Sequence, residues 1–408
     1  MTISRPDAGY GDFMTANAVG ALVTGADYRG LGLVRSLGRR GIPVCVLTHG
    51  DHSLARFSRF AARTLRWPEG TPQERAEALI RLAETEHLHG WVLLPTDDDT
   101  VAIVARNHDL LAPVFRLTTP PWKDLCRAVD KRRLYQLALD QRIDQPWAFL
   151  PNGEEDLLDL DCPFPVVIKP ASRDQANPLT IDKAWPVHNR KSLLARYALA
   201  RTYLHAHEVF IQEMIPGGGE TQYSYAALCL DGRPLASAMA RRWRQLPVDF
   251  GRASTYVETI DEPALNEPSI RLLGALGLTG LFEIEYKRDP RDGGFKLLDV
   301  NPRVWGWHTL CGRAGVDFPY LLWQMVHLRP VPGVRGQPGV RWVRMSTDLQ
   351  AALREMARGR LSPIRYLRSL AGPKESAIFA YDDPLPGLLE LPLLAYLAGK
   401  RLIQGRPV

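Results

Sequence analysis

Residues 281–303 read Leu281-Phe-Glu-Ile-Glu-Tyr-Lys-Arg-Asp-Pro-Arg-Asp-Gly-Gly-Phe-Lys-Leu-Leu-Asp-Val-Asn-Pro-Arg303. Two apolar-rich strands are expected here, Leu281 to Lys287 and Phe295 to Val300, joined by a turn at Asp292-Gly293-Gly294. Residues two apart in a strand share a face, so Asp299, Asn301 and Arg303 project together. The hairpin brings Glu285 alongside them. Two carboxylates and an amide oxygen form the hard-oxygen set that magnesium prefers, above all when phosphates add further oxygens. An arginine beside such a set can hold a phosphoryl group bidentately. Glu283 shares the face of Glu285, so either glutamate can be the metal ligand.

Upstream, Ser224 to Leu230 and Leu235 to Arg241 flank Asp231-Gly232, a strong hairpin turn. The run Phe164-Pro165-Val166-Val167-Ile168-Lys169-Pro170 closes an apolar strand with a charge, which costs desolvation unless an anion compensates it. Lys131 opens a helix expected over Asp130 to Leu139. Either lysine alone could instead extend to solvent along its apolar stem, a reading that fits Lys131 better than Lys169. A strand at Val209 to Ile215 runs into Pro216-Gly217-Gly218-Gly219-Glu220. Main-chain groups at such a strand end can read the edge of an adenine, and the following glutamate can bind ribose hydroxyls; a plain hairpin entry has the same pattern.

The N-terminal part alternates differently. Val19 to Val23 reads as a buried strand, Gly25, Gly30 and Gly32 as a turn, Leu33 to Arg40 as a helix, and Ile42 to Leu47 as a second strand. This β-α-β unit begins a doubly wound parallel sheet, continued by a helix over Gln73 to Glu86 and a strand at Trp91 to Leu94. The glycines lack G-x-G-x-x-G spacing and favour tight turns over a dinucleotide loop. Asp97-Asp98-Asp99 sits past a strand end, as a substrate contact or a helix N-cap. Pro113 to Pro121 reads as a linker, and the chain beyond Pro332 as helices and loops. Three units follow: 18–115, 116–330 and 331–408.

Composition narrows the class. A net charge of +6 over 408 residues, with only local basic clusters, is no nucleic-acid footprint. Cys45, Cys126, Cys162, Cys229 and Cys311 form no C-x-x-C pair, which argues against a disulfide framework and a structural zinc. The polar start lacks a signal-peptide pattern and no apolar run is long enough for a span, so the cytoplasm is expected.

The ordered set Asp130-Lys131, Ile168-Lys169-Pro170, Gln212-Glu213-Met214-Ile215 and Asp299-Val300-Asn301-Pro302-Arg303, behind a β-α-β unit, resembles the ATP-grasp superfamily from about residue 18 to 325. Phe282 to Asp289, Asn301 to Gly306 and Asp382-Asp383-Pro384-Leu385-Pro386 look most like its carboxylate–amine ligase branch, which includes D-aspartate ligases. The fold implied is α/β plus α+β: a Rossmann-like pre-ATP-grasp domain, an ATP-grasp domain with antiparallel sheets, and a helical C-terminal extension. The resemblance implies ATP and one or two magnesium ions as cofactors. It assigns Lys131, Lys169, Lys183 and Arg241 to phosphates, Glu213 with the main chain of Met214 and Ile215 to adenine, and Glu220 to ribose. Glu285, Asp299 and Asn301 would hold the metal, and Arg303 the transferred phosphoryl group. The superfamily usually has glutamate where Asp299 stands, and a glycine-rich loop where Ala171 to Pro178 has none.

The chemistry implied is amide formation. A carboxylate is a poor electrophile, and phosphorylation to an acyl phosphate supplies the leaving group that lets an amine attack, releasing ADP and phosphate. Phosphorylation of an enol, and a non-catalytic ATP-binding scaffold, are the alternatives. Arg244 to Arg252, Asp97 to Thr100 and Trp305 to His308 are candidates for the acceptor pocket. The partners expected are a small carboxylate and an amine, with no nucleic acid and no membrane; a homodimer through the N-terminal unit suits this fold.

Overall fold

The computed structural model describes residues 19–50, 52–171, 177–182, 184–249, 251, 253–372 and 374–403. The chain opens with β1 (Ala21–Val23), α1 (Tyr28–Gly38), β2 (Val44–Thr48), β3 (Arg63–Arg66), α2 (Pro72–Thr85), β4 (Val92–Leu94), α3 (Asp98–Arg106) and β5 (Arg116–Leu117). The five strands form one parallel sheet in the order β3-β2-β1-β4-β5. All residues of β1, β2 and β4 are buried, as expected of a parallel sheet covered on both faces.

The glycine-rich stretch departs from expectation. Asp27 caps α1 by accepting from the Arg29 and Gly30 amides, so the helix starts at Tyr28 rather than Leu33. Gly30 and Gly32 therefore lie inside the helix. A Cβ on Gly30 would fall 1.8 Å from the Gly25 carbonyl oxygen, and one on Gly32 2.4 Å from the His308 ring. Close approach, not turn formation, requires them. Asp97 caps α3 in a reciprocal box with Thr100. The linker expected near Pro113 also differs, because Arg116–Leu117 joins the parallel sheet as its edge.

Helices α4 (Trp122–Val129) and α5 (Lys131–Asp140) lead into a four-stranded antiparallel sheet. It comprises β6 (Ala148–Phe149), β7 (Val166–Pro170), β8 (Trp185–Val187) and β9 (Val209–Glu213), ordered β6-β9-β7-β8 and backed by α6 (Arg190–Arg201). The larger sheet follows with β10 (Gln222–Leu230), β11 (Arg233–Leu246) and β12 (Ala253–Ile260), then α7 (Asn266–Leu276), β13 (Gly280–Arg288) and β14 (Phe295–Asn301). Asp231 and Gly232 turn β10 into β11 with positive φ at both, 48° and 77°. One face of this sheet packs on α4, α5 and α7. The other packs on α1, α8 (His308–Arg313) and α9 (Phe318–Val326).

The C-terminal segment is helical in α10 (Met345–Ala357), α11 (Pro363–Ser369) and α12 (Leu385–Ile403), but not only helical. β15 (Val334–Arg335) pairs with β11, while β16 (Arg341–Val343) and β17 (Lys374–Ser376) extend the large sheet beyond β12. These strands are too short to show period-two alternation in the sequence. Asp383, 1% exposed, receives hydrogen bonds from Arg35 Nε at 2.9 Å and Ser58 Oγ at 2.6 Å, and Asp382 pairs with Arg39. The acidic pair thus fastens the end of the chain to α1. Trp305, Trp342 and Ile378 share a core with Leu31, Val34 and Leu37.

Candidate active site

The hairpin of β13 and β14 sets Glu285 opposite Asp299 and Glu283 opposite Asn301. Asn301 Nδ2 donates to Glu283 Oε2 and to Glu285 Oε1, each at 3.2 Å. Glu283 is 3% exposed and also accepts from Ser224 Oγ and Trp307 Nε1, both at 3.0 Å. Burial, with the Glu285 charge adding to it, pushes the Glu283 carboxyl up to about 7. Glu285 is less enclosed, with Arg242 3.7 Å away. The two glutamates therefore share a face as expected but differ in environment.

Both lysines and Arg303 border this acidic group or the strand beside it. Lys131, the first residue of α5, is buried and places Nζ 2.9 Å from Asp299 Oδ1. Lys169 Nζ donates to Gln212 Oε1 at 2.5 Å, and the Gln212 amide bonds Tyr135 Oη, which donates to the Leu297 carbonyl at 3.2 Å. This chain of polar contacts ties the small sheet to β14. Arg303 Nε donates to Asp98 Oδ1 at 2.5 Å and its Nη2 to Asn301 Oδ1 at 3.4 Å. Burial opposes the Arg303 charge, but Asp98, by charge and hydrogen bond, and Glu283 raise its pKa. A cavity of about 50 Å³ opens between Asp98, Trp122, Lys131, Ala171, Asp299 and Asn301.

Magnesium fits this donor set. Its oxygens come from Glu285, Asp299 and Asn301, all on neighbouring strand positions, and hard cations take carboxylate and amide oxygens. Among the described residues no three His, Cys, Asp or Glu side chains converge as a metal site, so this set rests on two carboxylates and one amide oxygen. The cations now against these acids, Lys131 and Arg242, show that the site attracts positive charge.

Other expected residues lie apart from this cluster. Glu213 ends β9, where Oε2 accepts from the Trp147 amide at 3.3 Å and Oε1 lies 2.5 Å from Arg291 in the β13–β14 turn. The Met214 amide is already engaged, donating to the Pro165 carbonyl at 3.0 Å, so it is no free donor for a base edge. Ile215 is buried. Glu220 Oε1 accepts from the Gly218 amide at 3.0 Å, and its carbonyl accepts from Arg241 Nε at 2.8 Å. Arg241 stacks over the Tyr223 and Trp243 rings, so Arg242, on the opposite strand face, is the arginine of this pair that reaches Glu285. Strand alternation relative to Gln222 carried that signal. Lys183 and Arg252 lie outside the described residues.

Of the acceptor-pocket candidates, the segment from Arg244 borders a cavity of about 580 Å³ through Gln245, Val248 and Asp249, but some members serve the packing. Arg244 is held by Asp348 through two 2.8 Å bonds and stacks on Tyr256. Trp305, Trp307 and His308 are core residues. Sequence reasoning missed the Arg303–Asp98 pair, because 205 residues separate its partners.

Residues 208–346 match the family model described as "ATP-grasp in the biosynthetic pathway with Ter operon". No curated protein matches the chain. Among solved structures, the biotin carboxylase domain of Hydrogenobacter thermophilus 2-oxoglutarate carboxylase, in complex with MgADP and bicarbonate, superposes with a TM-score of 0.63 at 13% identity, over 80% of this chain and 74% of that one. The Campylobacter jejuni biotin carboxylase–β,γ-ATP complex gives 0.61 at 14%, over 77% and 72%. The L-amino acid ligase of Bacillus licheniformis gives 0.58 at 16%, over 77% and 75%. The chain has the ATP-grasp fold.

Proposed function

We propose that this ATP-grasp protein is an ADP-forming ligase that joins a small carboxylate to an amine through an acyl phosphate. The observation that carries the reading is the pairing of Glu285 with Asp299 in register, beside Asn301, with Lys131 and Arg303 on its borders. Under it, Glu285, Asp299 and Asn301 hold magnesium, which when bound neutralises charge on the β- and γ-phosphates. Lys131 exchanges its bond to Asp299 for a phosphate, Lys169 reaches the phosphates from the small sheet, and Arg303 steadies the phosphoryl group in transfer. Glu213 and the strand end after it border the base, with Glu220 on the ribose side. Arg241 and Lys183 stay as outer phosphate contacts, and Arg242 joins them at Glu285.

The remaining catalysis is positional. Phosphoryl transfer needs alignment and electrostatic support rather than a protein nucleophile. The carboxylate attacks the γ-phosphorus, ADP leaves, and the amine displaces phosphate at the acyl carbon. We divide the chain into a Rossmann-like pre-ATP-grasp unit (18–115), the ATP-grasp unit (116–330) and the extension (331–408). The extension acts as packing, since it shares strands and core with both others. Among the described residues no helix is long and apolar enough to cross a membrane. All five cysteines are free, which suits a reducing cytoplasm. A homodimer through the N-terminal unit, and the absence of nucleic-acid partners, complete the reading.

The test is ADP and phosphate release with Mg-ATP, screening pooled carboxylates against pooled amines. Release that needs both partners and disappears in Asn301→Ala supports the ligase. Tight ATP binding with no release in any pool contradicts it.

A further inference from the structure

Side chains of β9 alternate between the two faces of the small sheet. Val209 and Ile211 enter the core under α6, whereas Phe210 joins the core on the α5 side and Gln212 shares its face. The register pairs Gln212 with Val167 and Phe210 with Lys169, so Gln212 and Lys169 are diagonal neighbours on that face. Opposite them, α5 buries Lys131 and Tyr135, four residues apart on one side of the helix. Lys131 meets Asp299 of β14, and Tyr135 meets Leu297 of the same strand. The Tyr135 ring stands edge-on to Phe210, with centroids 5.1 Å apart.

Hydrogen-bond polarity runs one way through these contacts. The Leu297 carbonyl can only accept, so Tyr135 Oη donates to it, at 3.2 Å. The hydroxyl has then given its one proton and accepts from Gln212 Nε2. The amide oxygen is thereby turned to Lys169, where Oε1 accepts from Nζ at 2.5 Å. A flipped Gln212 would set its NH2 group against the ammonium and its oxygen against the hydroxyl's lone pairs. Gln212 is 1% and Tyr135 4% exposed, so water hardly competes for either group. Burial, with the Asp299 charge adding to it, raises the Tyr135 pKa well above its usual value, which keeps that hydroxyl protonated.

A lysine is a point charge on a flexible stem, and holding it in one place costs rotamer freedom. An acceptor fixed from behind takes that loss before the nucleotide arrives. We infer that Gln212 and Tyr135 are positioning residues that orient the Lys169 ammonium for the ATP phosphates. They act through Lys169 and are not themselves catalytic. The inference deepens the ligase reading and rests on it for the role of Lys169. Tyr135 and Lys131 share α5 and both end on β14, so the same contacts set the spacing of the two lysines from the acids of that strand.

The experiment is calorimetric titration of the full chain with Mg-ATP, arranged as a double-mutant cycle. Lys169→Met weakens binding at least ~10-fold. Tyr135→Phe, which removes only the hydroxyl, and Gln212→Met, which keeps the length, each weaken it at least ~3-fold. In the Lys169→Met background both changes alter the affinity by less than ~2-fold, because the group they act through is gone. A purely structural role moves the affinity equally in both backgrounds, and that outcome overturns the inference, as does wild-type affinity in Tyr135→Phe. Should Gln212→Met fail to fold, the Tyr135→Phe cycle decides alone. The same titrations separate the two ideas. No Mg-ATP binding by the wild type, or full affinity in Lys169→Met, contradicts the ligase reading and its use of that lysine. A weakened Lys169→Met beside an unaffected Tyr135→Phe sinks only the positioning role.

Discussion

Arg303, at the end of the last strand of the hairpin, donates to Asp98 in the first turn of α3, 2.5 Å away and 205 residues earlier. The N-terminal unit thus reaches into the site through the residue proposed to steady the phosphoryl group. Arg303→Lys removes the planar fork that both Asp98 and a phosphoryl group need, and kcat is expected to fall at least ~100-fold. Asp98→Asn keeps the shape but weakens the positioning, with a smaller fall of about 5- to 20-fold in kcat and little change in the KM for ATP. Steady-state kinetics of the two variants checks the order.

Glu285→Gln and Asn301→Ala should each raise the magnesium concentration needed for half-maximal activity by at least ~10-fold. Glu283→Gln should affect it less, since Glu283 is occupied by Ser224 and Trp307. Magnesium titrations at saturating ATP measure this, and chelation of the metal should abolish turnover in every variant.

Arg35 and Asp383 form a buried pair, at 6% and 1% side-chain exposure. Asp383→Ala leaves the guanidinium without its partner in the core and should cost about 3–5 kcal/mol. Asp382→Ala, at a half-exposed pair with Arg39, should cost under ~1 kcal/mol. Denaturant unfolding of both variants makes the comparison.

How much of this was legible in the sequence depends on range. The strands and the Asp231-Gly232 turn follow from alternation and turn chemistry, which are local, whereas a bulge beside Glu285 shifts its register by one residue onto Asp299, which the turn alone does not set. The start of α1 was misplaced because glycine suggests a turn, whereas Gly30 and Gly32 answer to the Gly25 carbonyl and His308, contacts that no local pattern announces. Arg244 begins a segment named as a candidate for the acceptor pocket, but its own partner is Asp348, 104 residues away. The strands β16 and β17 were invisible for a similar reason, since three residues show no period and their pairing partners are distant. Within the site, lone acids and lysines could be named in advance, but not the polar chain from Lys169 through Gln212 to Tyr135.

His308 links the site region to α1. Its Nδ1 lies 2.9 Å from the Trp305 carbonyl, which can only accept, so that nitrogen donates and Nε2, packed on Gly32, has no partner. Burial lowers its pKa to about 4, while the Trp305 bond and the charges of Asp317 and Asp27 act the other way and Arg29 adds to the lowering. A depressed folded pKa means that the contribution is fully present above ~6.5 and is lost as pH falls towards 4. At pH 5 the loss is about 2 kcal/mol. Between pH 7 and pH 5 the change in urea-derived stability should be less favourable in the wild type than in His308→Leu by about this amount, the comparison cancelling groups such as Glu283, whose raised pKa adds stability as pH falls.

The central claim is that a carboxylate oxygen attacks the γ-phosphorus, and oxygen transfer tests it most directly. With the active acid labelled with ¹⁸O in its carboxylate, the account predicts that each phosphate released with ADP carries one labelled oxygen. Unlabelled phosphate at full turnover would contradict the acyl-phosphate route.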